Sequence, residues 1–426
     1  MTTKTYNSSG NSTDVAEMGI VSRLSFLDRF LTLWILIAAG IGLGLGQTDG
    51  MQNFIDSTTV GSTNILVAIG LVVMMYPPLA KVRWNIVHRV FSDWKLLLLT
   101  SFQNWILGPF VMFLLSAAFF NNDPGFMAGL SLVGCARCIA MVVVWNALAG
   151  GDDEYCAAII AVNSILTIGL YSPYAALFIN VLPDHMGIPS LDVTVSIGEV
   201  AKNVGIYMGI PFALAVATWL ILTHWKGQKW YYDSFTPRIG VFTLLALLFT
   251  IIVLFASQSQ RITSNIGKVL YAAVPLLIYF FFMFITSFLT SWYLGATYEK
   301  SVSLSFTAAS NNFELALAVA ISTFGLQSDP ALMSVVGALI EIPTMLALVY
   351  LAFWFKKHLF QPKDLDDIEN SFGKEVEQLK DPQDIENGCN IDDSEKQKNL
   401  DIENGPSNDK HLENEERSNC EEPRKP

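Results

Sequence analysis

The stretch GCARCIAMVVVWNALAGG at residues 134–151 decides the fold, because it sets ionisable side chains inside an otherwise apolar run. Cys135, Arg137 and Cys138 interrupt the apolar segment 125–149 near its middle. Such groups are costly inside a bilayer, and they persist mainly where they face the interior of a helix bundle or a water-filled path. The segment is therefore predicted to be a membrane span that carries functional residues.

A second apolar segment, residues 302–324, is interrupted in the same way by the stretch FTAASNNFELALAVA at 306–320. Its polar side chains at mid-span are Asn311, Asn312 and Glu314. Two interrupted segments at corresponding positions of two halves are typical of the binding site of a secondary transporter. The pair therefore predicts where a substrate binds.

The composition predicts an all-α polytopic membrane protein. Of the 426 residues, 52% are hydrophobic, and the apolar residues gather in runs of about 18 or more, the length of a membrane-spanning helix. The polar residues before position 30 lack the features of a signal peptide, so the first span is expected to remain in the protein. Ten spans are predicted, at 30–46, 61–80, 94–120, 125–149, 154–182, 204–223, 238–257, 266–292, 302–324 and 331–355.

The distribution of Lys and Arg predicts that both termini are cytoplasmic. Basic residues crowd the loops after spans two, six and ten, whereas the loops at 47–60, 121–124, 183–195 and 325–330 carry none. Positive charge favours the cytoplasmic side. The net charge of −12 arises in residues 364–426, which hold 20 of the 38 acidic and 8 of the 26 basic groups, so it says nothing about the substrate.

Ten spans divide into two sets of five, residues 30–182 and 204–355. An odd number of spans per half gives the second half an inverted topology, so interrupted helices four and nine are expected to cross at the membrane midplane. Residues 1–29 are predicted to be a cytoplasmic segment and 30–355 the carrier domain. Residues 356–426 are predicted to be a disordered acidic cytoplasmic tail, because a segment with so few apolar residues cannot build a core.

Five separated motifs follow one another along the apolar region: ARCIAM at 136–141, WNALAGGD at 145–152, Asn163-Ser164, ASNNFELALAVAI at 309–321 and EIP at 341–343. In their order and spacing they resemble the Acr3 family of arsenite efflux permeases, which is similar in architecture to the bile-acid/sodium symporters. The resemblance covers about residues 22–358 and implies arsenite export from the cytoplasm by proton antiport, with antimonite as a second candidate substrate, conferring arsenic resistance.

On this resemblance Cys138 is the predicted arsenite ligand, with Arg137 beside it in the substrate site. As(III) is a soft centre that favours thiolate sulfur. Unpaired N–H groups at a helix interruption and the neighbouring guanidinium would both favour the thiolate. Without the resemblance, a small buried packing residue is the simpler interpretation of this cysteine.

Cys135 departs from the family pattern, which requires only the second cysteine. On a continuous helix positions 135 and 138 would share a face, so Cys135 is predicted as an auxiliary As(III) ligand. Neutral packing is the alternative. A redox pair or half of a zinc site is a further alternative, which lacks a strand–turn–helix context and a second ligand pair.

Glu314 is the predicted proton carrier, and Glu341 is a second and weaker candidate beside Pro343. A low-dielectric path disfavours a charged carboxylate, so such a group can load and release a proton in each cycle. The alternative for Glu314 is a structural ion pair with Arg137 across the crossing.

Amide and indole side chains complete the predicted substrate site, namely Asn104, Asn163, Asn312 and Trp145. Amides can hydrogen-bond arsenite hydroxyls, or they can satisfy carbonyls freed at a helix interruption. For Asn104 and Asn163, satisfying carbonyls competes with arsenite binding as the role of the amide, whereas for Asn312 it does not. For Trp145 the competing role is packing in the core or at the membrane interface.

The sequence offers no phosphate-binding loop of the Gly-x-x-x-x-Gly-Lys-Ser/Thr form and no His cluster with ligand spacing. No enzyme activity, cofactor, ATP site or nucleic-acid partner is therefore predicted, and the partners are arsenite, protons and the lipid bilayer. Two rival functions stay open: a sodium-coupled organic-anion symporter, and a membrane sensor or scaffold whose tail gives the output. The plasma membrane is the expected location, with the vacuolar membrane as the alternative.

Overall fold

A computed structural model describes residues 31–60, 63–82, 84, 93–189 and 195–360. The predictions for the N-terminal segment and for the tail from position 361 onward lie outside the described residues. Most of the described chain is helical. In lipid a long apolar segment must satisfy its own backbone N–H and C=O groups, and a helix does this within one segment.

The helices are numbered here in chain order. The first half contains α1 (Leu31–Leu45), α2 (Asp49–Ser57), α3 (Ile65–Ala80), α4 (Trp94–Phe120), α5 (Pro124–Gly134), α6 (Val142–Leu148) and α7 (Asp153–Met186). The second half contains α8 (Ile197–Lys226), α9 (Gln228–Ser264), α10 (Ile266–Tyr293), α11 (Tyr298–Ala309), α12 (Phe313–Phe324) and α13 (Asp329–Phe360). Between α2 and α3, the two-residue strands β1 (Thr59–Val60) and β2 (Thr63–Asn64) pair antiparallel.

Six of the described helices are long and apolar enough to cross a membrane, namely α4, α7, α8, α9, α10 and α13. The number becomes seven if α1 and α2, which meet at an angle of 96°, count as one bent span. Helices α3, α5 and α12 are apolar but shorter. The prediction of an all-helical membrane protein is confirmed, whereas ten spans in two inverted repeats stay a prediction.

Both predicted interruptions are present. Residues 135–141, the first break, separate α5 from α6. Residues 310–312, the second break, separate α11 from α12. Polar residues at mid-span were therefore a valid signal for where the helices stop.

One local prediction is wrong. The loop predicted at 47–60 contains helix α2, because this segment buries Ile55 and its Gln52 amide donates to the Ala256 carbonyl of α9 at 3.0 Å.

Glycines allow α1 to pack closely along α9. A Cβ added at Gly42 would lie 2.6 Å from the Ile252 carbonyl oxygen, and one at Gly46 would lie 2.3 Å from that of Ala256. Small residues at a helix contact let backbones approach in this way. α3 also packs against α9, while α5 and α12 both pack against α13. The first break follows α5 and the second precedes α12, so both breaks adjoin helices that pack against α13.

Candidate substrate site

The two breaks contact each other and satisfy each other's backbone groups. The Cys138 N–H donates to the Ser310 carbonyl at 3.3 Å, and the Asn312 N–H donates to the Ala136 carbonyl at 3.1 Å. Backbone groups freed inside a membrane need such partners, because no water is available in the hydrocarbon. The predicted meeting of the interrupted segments is thus built from main-chain hydrogen bonds.

Arg137 is fully buried, and uncharged groups hold its guanidinium. Nη1 donates to the Tyr279 hydroxyl at 2.9 Å and to the Ala308 carbonyl at 3.1 Å, and Nη2 donates to the Gly134 carbonyl. These carbonyls end α11 and α5, where the helix dipole is negative. Gly108 provides the space that the guanidinium occupies, since an added Cβ there would lie 2.9 Å from Nη1. Helix ends therefore replace a carboxylate as the partner of this cation.

Cys138 is buried, with 4% of its surface exposed. Its backbone N–H donates to the Ser310 carbonyl of the second break, and α6 begins four residues further on, at Val142. The charged side chains that act on the Cys138 thiol electrostatically are Glu341 and Glu314. The crossing thus brings the predicted ligand and both predicted proton carriers into one neighbourhood.

Cys135 does not share a helix face with Cys138, because α5 ends one residue before Cys135. Its thiol interacts electrostatically with Arg137, and the Tyr171 ring of α7 lies near it. The helical premise of the two-sulfur site is wrong, and a role for Cys135 as auxiliary ligand stays a prediction. Within the described ranges, no group of three or more His, Cys, Asp or Glu residues could hold a metal ion.

The two predicted proton carriers have different surroundings. Glu314 lies in the first turn of α12 and is half-buried. It borders a cavity of about 40 Å³ that α1, α3, α9 and α13 line mainly with apolar side chains. Glu341 is 1% exposed, and it accepts the Ser310 hydroxyl. Neither Glu314 nor Arg137 takes part in any ion pair of the described residues. The alternative of a structural Arg137–Glu314 pair does not hold in this structure.

Asn312 caps the helix that follows it, α12. Its Oδ1 accepts the Leu315 N–H at 2.9 Å and so caps the N-terminus of α12. Trp145 of α6 is fully buried, and its indole N–H has no partner in the described part of the chain. The substrate-binding role predicted for these two residues stays a prediction.

Asn104 and Asn163 form hydrogen bonds within and between helices, not with the two breaks. Asn104 Nδ2 donates to the Thr100 hydroxyl at 3.1 Å within α4, and the Trp105 indole of α4 donates to Asn163 Oδ1 of α7, also at 3.1 Å. Asn104 Oδ1 and Asn163 Nδ2 are buried, and neither has a partner among the described residues. Buried atoms of this kind call for a hydrogen-bond partner such as water or a substrate hydroxyl.

Ser310 is the residue at the crossing that sequence reasoning did not single out. It is fully buried, its carbonyl accepts the Cys138 N–H, and its hydroxyl donates to Glu341. The available signal was its place directly before the Asn311-Asn312 pair, at the centre of the apolar run.

Paired helix breaks that meet among apolar helices, with ionisable groups at their contact, define an integral membrane protein of the transporter class. A family profile, the Sodium Bile acid symporter family, matches residues 68–265. The arsenical-resistance protein Acr3 of Corynebacterium glutamicum is 41% identical over 344 residues, which cover 80% of this chain and 93% of that protein. The Acr3 of Alkaliphilus metalliredigens is 31% identical, over 78% of this chain and 95% of that protein. An uncharacterized transporter of Synechocystis sp. is also 31% identical, over 78% and 91%.

This chain therefore belongs to the Acr3 family of arsenical-resistance proteins. The resemblance drawn from the motifs around the two breaks is confirmed.

Proposed function

We propose that this protein is a secondary carrier that exports arsenite from the cytoplasm in exchange for protons and thereby confers arsenic resistance. The observation that carries the proposal is the Cys138 thiol at the contact of the two breaks, beside Ser310 and Glu341. Sulfur is the donor that soft As(III) favours. The names of the Acr3 relatives support the choice of substrate.

The chemistry proposed at Cys138 is ligand exchange. Arsenite is a neutral As(III) trihydroxide at pH 7, so a sulfur–arsenic bond forms as one arsenic–oxygen bond breaks. The displaced hydroxide takes the thiol proton and leaves as water. Water reverses the exchange on release, and no oxidant or reductant is required. Antimonite, which offers the same soft trivalent centre, is a second candidate substrate.

Glu314 is the proposed proton carrier of the cycle. Its carboxyl borders a cavity between α12 and α13 on one side and α1, α3 and α9 on the other. With Glu314 deprotonated towards the inside, arsenite binds Cys138 from the cytoplasm. A proton that arrives from the outer side weakens this binding and releases arsenite. Such alternating access places the site first on one side of the membrane and then on the other.

The proposed topology is ten spans in two inverted repeats, residues 30–182 and 204–355. Both termini are cytoplasmic, and the protein resides in the plasma membrane. The acidic tail then lies in the cytoplasm and takes no part in transport.

A sodium-coupled organic-anion symporter is the second candidate, because the profile that matches residues 68–265 is that of the bile-acid symporters. Under that function the Cys138 thiol has no chemical task. It would instead require a cation site lined by carbonyl and carboxylate oxygens.

Everted membrane vesicles distinguish the two candidates, because their outer surface is the cytoplasmic one. With an acidic interior, vesicles that contain this protein should accumulate arsenite beyond vesicles that lack it, and a sodium gradient should have no effect. Organic-anion uptake that depends on sodium, without arsenite uptake, contradicts the proposal and supports the symporter.

A further inference from the structure

We propose that polar contacts between the end of α9 and the connection from α12 to α13 form an outer gate, which closes the cavity beside Glu314 towards the outside and opens when arsenite is released. The inference rests on the proposed carrier function and topology. It adds to them the contacts that have to break on the outer side.

The described helices pack mainly in two groups. The first group contains α1, α3, α8 and α9, and the second contains α4, α5, α10, α11, α12 and α13. The cavity beside Glu314 lies between the groups, because α1, α3 and α9 line one side of it and the first break, α12 and α13 line the other. Access to such a site changes when one bundle of helices moves against the other. Contacts that join the two groups beside the cavity therefore control this access.

Two amide side chains join the groups at one end of the cavity. Gln258 Nε2 of α9 donates to the Leu326 carbonyl, and Gln327 Nε2 donates to the Ser257 carbonyl of α9 at 3.2 Å. Gln258 is fully buried. A hydrogen bond to a buried group is costly to break unless a new partner replaces it. The two bonds hold the α12–α13 connection against α9.

An ion pair lies beside these hydrogen bonds. Arg261 Nη2 of α9 contacts Asp329 Oδ1 in the first turn of α13. The side chains are 25% and 42% exposed, respectively. Partly exposed charges in a membrane protein belong near the water rather than in the hydrocarbon. The ion pair therefore marks the end of the gate that faces the aqueous surface.

The gate continues the face of α9 that lines the cavity. Ile251 and Leu254 line the cavity, and Gln258 and Arg261 follow at spacings of four and three residues, which keeps all four on one side of the helix. At 1.5 Å per residue, Gln258 lies about 6 Å beyond Leu254 along the helix axis. The proposed topology places the ends of α9 and α12 on the outer side. The gate therefore closes the outer end of the cavity.

A second ion pair provides a matched control. Lys268 Nζ of α10 lies 2.8 Å from Oδ1 of Asp123, the residue directly before α5. Both α10 and α5 belong to the second group, so this pair does not cross the boundary between the groups. Its loss removes a similar partly exposed ion pair without opening the gate.

The experiment measures how fast a membrane-impermeant maleimide labels Ser334→Cys from the outside of intact cells. Ser334 of α13 is 1% exposed and lines the cavity, and its labelling is measured above that of the protein with the native serine. Arg261→Met should speed this labelling about threefold, the scale expected for loss of one partly exposed ion pair. Arg261→Lys keeps the charge and should be labelled at the wild-type rate. Lys268→Met should also leave the rate unchanged.

Gln258→Leu removes the buried hydrogen bond and should speed labelling about fivefold. It decides the question even if Arg261→Met fails to insert, since unchanged labelling in Gln258→Leu overturns the proposal. Equal rates for Arg261→Met and Arg261→Lys also overturn it. So do equal rates for Arg261→Met and Lys268→Met, because they indicate a general loosening of the protein.

The side of the membrane is tested with everted vesicles. Faster labelling of the gate variants from the cytoplasmic face alone overturns the proposal, because it places the opening at the wrong end. The labelling requires no arsenite. Absence of arsenite uptake by the wild-type protein therefore contradicts the proposed function, whereas the labelling rates decide on the gate.

Discussion

The two breaks share one layout but differ in how they are closed. The first break spans residues 135–141, and none of the described side-chain bonds caps α6, which follows it. The second spans only 310–312, and Asn312 caps α12 with its side chain. The longer, uncapped break carries Cys138, and the shorter, capped break supplies the main-chain partners of Cys138 and Ala136. The comparison indicates that the second break fixes the backbone of the first.

The charged side chains near the two breaks, Arg137 and Glu314, also have different surroundings. The guanidinium of Arg137 donates from Nη1 and Nη2 to two helix ends and to Tyr279. Glu314 lies in the first turn of α12, where the helix dipole favours a negative charge, and it borders a cavity. The Arg137 guanidinium is held by hydrogen bonds, whereas the Glu314 carboxyl borders a cavity, and this difference underlies their different proposed roles.

The largest effect is expected for the thiol of the first break. Cys138→Ser keeps the size of the side chain but removes the soft donor, so arsenite export should fall to the level of cells without the protein. The measurement is arsenite accumulation in cells that lack their own exporter. Cys156→Ser, a buried cysteine of α7, is the control and should export normally. Normal export by Cys138→Ser removes thiol chemistry from the mechanism.

The next effect concerns the carboxyl of Glu314, in the helix that follows the second break. Glu314→Gln keeps shape and hydrogen bonding but holds the position neutral, so uptake driven by a proton gradient in everted vesicles should be lost. Glu341→Gln should be milder, because its amide oxygen can still accept the Ser310 hydroxyl. Undiminished gradient-driven uptake in Glu314→Gln would take this residue out of the proton path and leave Glu341 as the carrier.

A smaller effect, on stability, is expected from a steric change where α13 packs against the start of α12. A Cβ at Gly337 of α13 would lie 2.0 Å from the Phe313 ring at the start of α12. Gly337→Ala should therefore destabilise the protein by about 1–3 kcal/mol, the usual effect of overpacking. Thermal unfolding of the purified protein in detergent measures this. Gly40→Ala is the control, because nothing lies within 4 Å of a Cβ at that position. Equal melting temperatures for both variants contradict the tight contact.

The smallest effect is expected from loss of the Asn312 side chain, which caps α12. Asn312→Ala removes the acceptor of the Leu315 N–H and should cost about 1 kcal/mol, while Asn312→Asp keeps an acceptor and should cost less. The same melting experiment measures both. If Asn312→Ala raises the KM for arsenite without lowering the melting temperature, the side chain binds substrate and capping is its minor role.

Sequence reasoning located the breaks because a polar group inside an apolar run has a large physical cost, and that cost is visible without a structure. It did not find where each helix ends within a break. The expectation that Cys135 and Cys138 share a face needed a helix through residues 135–138, but α5 stops at Gly134. The stopping point depends on carbonyl and N–H partners from the second break, which are distant in sequence.

Side-chain partners were the least predictable part of the site. Arg137 suggested an ion pair, yet its partners are main-chain carbonyls and a tyrosine hydroxyl. Serine is common in helices of every kind, so Ser310 carried little signal of its own.

The mutual hydrogen bonds of the two breaks also bear on how the protein is made. The ribosome completes the first break long before it reaches residues 310–312, so the Cys138 N–H and the Ala136 carbonyl lack these main-chain partners until the residues between the two breaks have been added. An unsatisfied backbone group in hydrocarbon costs several kcal/mol. We therefore expect the first half to remain unfinished in the membrane until the second half arrives, so that the centre of the molecule assembles last.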